Sequence, residues 1–102
     1  MQMVLTGEPI DARQAQRAGL VSEVTQPEFT VERALQIARS IAGKAPLAVR
    51  LAKEALLKAM DTDLATGLRF ERHAFTVLAG TRDREEGIAA FQEKRTPTFT
   101  GQ

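Results

Sequence analysis

From Thr30 to Leu78 the apolar residues return every three or four positions, and no other feature limits so strongly what this chain can fold into. Val31, Ala34, Leu35, Ala38, Ile41 and Ala42 form one stripe, and Glu32, Arg33, Gln36, Arg39 and Ser40 fill the opposite side. Thr30 is the expected N-cap of this helix and Gly43 its stop. Pro46 then sits in a first turn, where a missing N–H is tolerated, and Leu47, Leu51, Ala52, Ala55, Leu56, Ala59 and Met60 continue a second stripe. Arg50, Glu54 and Lys58 make an i,i+4 ladder on its wet face, each pair adding only about 0.2 to 0.5 kcal/mol. Asp61 to Asp63 break the stripe and supply the next N-cap. A third helix is expected from Leu64 to Leu78, with Leu64, Leu68, Phe75 and Leu78 on one line and Phe70, Ala74 and Val77 beside it. Glu71 puts a charge on that apolar line, so Arg69, Arg72 or a charge on a neighbouring subunit is its expected partner.

The flanks carry shorter signals. Met1 to Leu5 reads as the end of a helix closed by Gly7, and the chain is expected to be one piece of a larger fold. Asp11 and Gln14 have capping-box spacing, which starts a helix from Ala12 to Ala18 that Gly19 stops. Leu20 to Val24 suits a brief extended segment, broken at Pro27 and without an obvious partner strand. Asp83 and Glu86 again have capping-box spacing, with Ile88 and Phe91 facing inward, Lys94 and Arg95 closing the last turn, and Pro97 ending it. The fold class expected is all-α, about five short to medium helices with one brief extended segment and no sheet. Gly67 and Gly87 lie inside helices, each costing roughly 1 kcal/mol relative to alanine. Either another backbone approaches there, or a well-packed helix tolerates them.

Composition removes several chemistries. With no cysteine and only His73, the chain offers no thiolate nucleophile and no Cys- or His-rich ligand set, so no metal site is expected. A net charge of +1 lacks the basic footprint of non-specific nucleic-acid binding. No apolar run reaches the roughly 20 residues of a membrane span, and the opening lacks the pattern of a signal peptide; a cytoplasmic protein that does not bind membranes is expected. Most carboxylates fall at caps, first turns or wet faces, Ser22 and Ser40 have no adjacent His-and-acid pair, and the glycines form no phosphate loop. No residue is assigned a catalytic role.

Several blocks then agree with one family. The stretch Met3 to Gly7, followed by Asp11 to Ala15 and Ala18 to Val24, resembles the M-x-L-T-G, A-x-E-A and G-L-V-x-x-V stretches of the enoyl-CoA hydratase (crotonase) superfamily, with Gln14 where many members carry Glu. Ala45 to Leu56 resembles its S-P-x-A-x-x-x-x-K-x-A-L block, with Ala45 replacing the serine. Phe70, Glu71 and Phe75 continue the match. Asp83 to Phe99 resembles the closing D-x-x-E-G-x-x-A-F-x-E-K-R-x-P-x-F.

This resemblance implies that residues 1–24 end a crotonase core segment and that residues 25–102 form the C-terminal helical region, which builds the trimer interface and completes the CoA pocket. It implies a parent lyase that hydrates trans-2-enoyl-CoA thioesters in fatty-acid oxidation, with acyl-CoA as substrate and no covalently bound cofactor. The two catalytic glutamates and the oxyanion hole of the hydratases lie upstream of the L-T-G block in that family, so this chain alone is expected to be inactive. Its implied partners are the missing N-terminal core and further copies of itself, as a trimer or a dimer of trimers. By position Lys94 is implied to reach a CoA phosphate, and Phe75 to pack near the adenine. Lys94 as a cation on the helix dipole and Phe75 as plain core remain the alternatives. At the level of the whole chain, the alternative is a free-standing helical interaction module without catalysis.

Overall fold

The computed structural model describes residues 1–102, Gln2 by its backbone alone. Among the described residues there are six α-helices and no strand: α1 (Gln2–Thr6), α2 (Ala12–Arg17), α3 (Thr30–Ala42), α4 (Pro46–Asp61), α5 (Leu64–Ala79) and α6 (Arg82–Glu93). The all-α class and the three long helices are as the periodicity predicts, with the opening turn making a sixth helix.

The chain divides into two compact units, residues Met1–Gln36 and Ile37–Gln102. In the first, the capping box at α2 forms in both directions. The Asp11 carboxylate accepts from the Gln14 backbone at 2.7 Å, and the Gln14 side chain accepts from the Asp11 backbone at 2.8 Å. Gly7 and Gly19 both take left-handed conformations, φ 71° and 75°, which glycine reaches without steric cost. Leu20 to Val24 is irregular chain without a ladder partner. Pro27–Phe29 forms a 3-10 turn that runs directly into α3, so Thr30 is already helical, and its hydroxyl donates to the Gln26 carbonyl at 3.2 Å. An N-cap at Thr30 overlooked that extra turn. Arg33 closes on Glu23 at 2.8 and 3.0 Å, an exposed pair of modest worth.

In the second unit α4 and α5 pack on each other as a helical hairpin joined by Thr62 and Asp63. Asp63 caps α5 as expected: its carboxylate accepts from the Thr66 amide at 3.0 Å and the Thr66 hydroxyl at 2.7 Å. Those bonds, the hydroxyl first, hold the Asp63 carboxyl below its usual range. The ladder Arg50, Glu54 and Lys58 forms no ion pair among the described residues.

The end of the chain departs from the capping-box reading. Thr81 is the N-cap of α6, its hydroxyl accepting from the Arg84 amide at 3.3 Å. Asp83 and Glu86 serve the C-terminal tail instead. Asp83, only 5% exposed, accepts from the Thr100 amide at 2.7 Å and the Gly101 amide at 2.8 Å, and its own amide donates to the Gln102 carbonyl at 3.0 Å. Glu86 takes the Thr98 amide at 2.7 Å and both terminal nitrogens of Arg95 at 2.6 and 2.9 Å. The physical reason is competition for acceptors: the returning tail brings amides that no helix or strand can satisfy, and two carboxylates one turn apart are within their reach. Phe99 lies against Gly87, where an added Cβ would sit 3.7 Å from its ring, and so the close neighbour of this glycine is a ring and not a second backbone.

The expected inward face of α6 also needs correcting. Ile88 and Phe91 are exposed, Phe91 at 85%, while Ala90 is buried. Ala15 and Ala90 are the only buried apolar residues described. The chain exposes 8749 Å², whereas two separate compact globules of 36 and 66 residues would together expose about 6,800 Å². The helices therefore form with their apolar faces largely uncovered.

Asp83→Ala should free the tail and cost about 2 kcal/mol in urea unfolding, because hydrogen bonds to a charged acceptor are lost. Early exchange of the Thr100 and Gly101 amides would accompany the loss. The Arg95 guanidinium, and next the Thr98 amide, hold the Glu86 carboxyl down from an ordinary 4.5 to about 2. This lowered value makes the contribution of the Glu86 contacts with Arg95 and Thr98 complete above about pH 4.5 and removes it as the pH falls towards 2. Thr98 amide shifts followed by NMR should show that transition, and Arg95→Ala should move it up towards 4.5.

Candidate functional site

Two features of the second unit have functional shape, an apolar groove and a lysine at a helix end. The groove runs between α4 and α5 and has a volume of 680 Å³. Small residues of α4, Ala48, Ala52, Ala55 and Ala59, line it together with the larger Leu56, Leu64, Leu68 and Phe75. The i,i+3,i+4 pattern that predicts two apolar stripes thus produces the groove, because the stripes meet along only part of their width. Leu56, Leu64 and Phe75 are each at least 70% exposed. Surface patches of this kind mark sites of association or ligand binding.

Glu71 lies on the groove wall, exposed, and neither Arg69 nor Arg72 pairs with it. Arg69 instead donates to the Thr66 hydroxyl at 3.0 Å. Among the described residues no group of three or more His, Cys, Asp or Glu is placed to hold a metal ion, and no helix is long and apolar enough to cross a membrane.

Phe75 lines both this groove and a smaller neighbouring hollow of 270 Å³ between α4, α5 and Phe99. Its ring is 70% exposed, so it is not core in this chain. Lys94 lines neither hollow. It occupies the cap of α6 in a left-handed conformation, φ 54° and ψ 38°, and is the single non-glycine residue described with positive φ. Arg95 donates its amide to the Ala90 carbonyl at 3.0 Å, the six-to-one bond that closes a helix of this kind. Glycine usually takes that position, and any other residue pays about 1 kcal/mol or more to hold it. The structure therefore places Phe75 on the groove and Lys94 at the end of α6, without joining them in one hollow.

The partners of Arg95 are not marked in the sequence. Glu86 and Glu93 both reach Arg95, and Glu86 also holds Thr98, while the spacing of Asp83 and Glu86 looked like a helix start. The available signal was Gly87 with Phe99: a helix that leaves room for a ring twelve residues on has its own tail folded back upon it.

The comparisons with known proteins agree across the chain. The enoyl-CoA hydratase/isomerase family model matches residues 1–102. The chain is similar to the 2,3-dehydroadipyl-CoA hydratase of Escherichia coli (strain K12), 53% identical over 98% of this chain and 39% of that protein. It is similar to the (E)-benzylidenesuccinyl-CoA hydratase of Thauera aromatica, 43% identical over 99% of this chain and 40% of that protein. The crystal structure of an enoyl-CoA hydratase from Bacillus anthracis superposes with a TM-score of 0.87 at 45% identity, covering 91% of this chain and 36% of that one. The chain thus spans about two fifths of the length of the proteins it matches.

Gly67 lies on the groove with only the Thr62 hydroxyl, at 3.8 Å, near the position of an added Cβ. Gly67→Ala should therefore raise the stability of the isolated chain by about 0.4 to 1 kcal/mol, read from the urea midpoint at unchanged slope.

Proposed function

The chain belongs to the enoyl-CoA hydratase/isomerase family, and we propose that it supplies the oligomerisation surface and one edge of the CoA site in an enzyme hydrating trans-2-enoyl-CoA thioesters in fatty-acid oxidation. The groove between α4 and α5 is the observation that carries this reading. Its exposed leucines, Leu56, Leu64 and Leu68, offer apolar surface that a further domain or further copies of the chain would cover. In this reading residues 25–102 form the helical region of a trimer or dimer of trimers, and residues 1–24 end the core segment before it. The parent is a cytoplasmic lyase.

The chemistry supports the same division of labour. Adding water across a 2-enoyl thioester builds negative charge on the thioester oxygen, and donors aimed at that oxygen usually provide the largest part of the rate. These 102 residues supply CoA recognition and assembly, while the catalytic glutamates and the oxyanion donors belong to the remainder of the enzyme. The names of the two hydratase relatives specify CoA thioesters as what those proteins hydrate, which supports an acyl-CoA substrate here. Lys94 provides an ammonium for a CoA phosphate, and Phe75 an open aromatic face for the adenine.

Purified chain should give no hydration of crotonyl-CoA above background by loss of absorbance at the enoyl thioester band; turnover that follows the chain through purification contradicts the proposal. In a full-length hydratase carrying this region, Lys94→Ala should raise KM for the CoA thioester about 3- to 10-fold at low salt, with kcat little changed and the difference shrinking as salt is added. An unchanged KM at low salt removes Lys94 from the site.

A further inference from the structure

Resting on the reading that Lys94 meets a CoA phosphate, we propose that Glu86 and Arg95 are positioning residues for Lys94, forming a clasp that fixes the direction in which its ammonium is offered. Lys94 sits between two residues that pair over it, since the Arg95 Nε donates to Glu93 at 2.6 Å. The rest of the Arg95 guanidinium is taken by both oxygens of Glu86, and Glu86 also receives the Thr98 amide. The backbone is thus held at position 95 and again at position 98, immediately beyond the one residue described that takes an unfavourable left-handed turn.

The charges are arranged to the same end. Glu86 and Glu93 are the two carboxylates that Arg95 engages. Neither then needs to recruit the Lys94 ammonium, which makes no hydrogen bond or ion pair among the described residues. An anion arriving from outside would meet a cation whose backbone is already held, so less conformational freedom is lost on binding. Stability alone is a weak reason for the clasp's Glu93 arm. Arg95 and Glu93 are 42% and 61% exposed, and exposed ion pairs contribute little to folding.

The test uses the 102-residue chain labelled for NMR, with CoA as one probe and pantetheine, which has no phosphate, as the other. Couplings and carbon shifts report whether residue 94 is left-handed, and titration shifts report the preference for CoA. In Glu86→Gln the left-handed population of Lys94 should fall and the preference should drop about 3- to 10-fold towards that of Lys94→Ala, with the α4 and α5 amides unmoved. Arg95→Lys, which keeps the charge but not the fork, should do the same and serves if Glu86→Gln fails to fold. The proposal is overturned if Lys94 stays left-handed in both variants, or if it relaxes while the preference for CoA is unchanged. If Lys94→Ala itself leaves the preference intact, the phosphate reading fails first, and the positioning role goes with it even where the clasp is seen to hold the backbone.

Discussion

Two carboxylates one helical turn apart, Asp83 and Glu86, organise the end of this chain. A tail after Pro97 has no helix or strand in which to satisfy its amides, and charged acceptors on α6 give three of them partners at 2.7 to 2.8 Å. Once the tail is down, Phe99 covers Gly87, and a residue with a side chain at 101 would touch Pro46 at the start of α4. Arg95 is drawn between Glu86 and Glu93, and Lys94 turns left-handed between them. The closing block that carries the family resemblance is, physically, a strap that fastens itself.

The rest of the second unit leaves much of its apolar surface uncovered. Helices of this length gain most of their stability from burying an apolar face, yet α4 and α5 meet along one strip and leave a 680 Å³ groove open. Alanines at 48, 52, 55 and 59 let something come close to the α4 backbone, and Gly67 extends that access on α5. Larger residues there would have filled the groove from within. The strap and the groove differ in this: one fixes the end of α6 within the chain, the other leaves an apolar face uncovered.

The sequence was most legible where local rules decide structure. The Asp11–Gln14 box, the Asp63 cap and the left-handed Gly7 each rest on contacts within a few residues, and each formed as expected. The helical period was equally readable, because it depends only on which side of a helix is apolar. Side-chain burial was not. An apolar stripe says that a face is made to be covered, but not by what, so Phe91 and Ile88 read as inward although this chain leaves them exposed. Asp83 misled for a related reason: the D-x-x-E spacing suits a capping box and a strap anchor alike, and only the position of residues 98–101 distinguishes them. Of the candidate site, Lys94 and Phe75 could be nominated by family position, whereas the bonds of Glu86 to Arg95 and Thr98 join residues nine and twelve positions apart.

On the proposed function, the apolar face between α4 and α5 is covered by other protein. Sedimentation equilibrium of the chain over a wide concentration range tests it most directly. Association should appear as a mass rising above 11.2 kDa with concentration, and Leu64→Glu should suppress it. A mass that stays at 11.2 kDa up to millimolar concentration, for a chain that remains folded, would contradict the account.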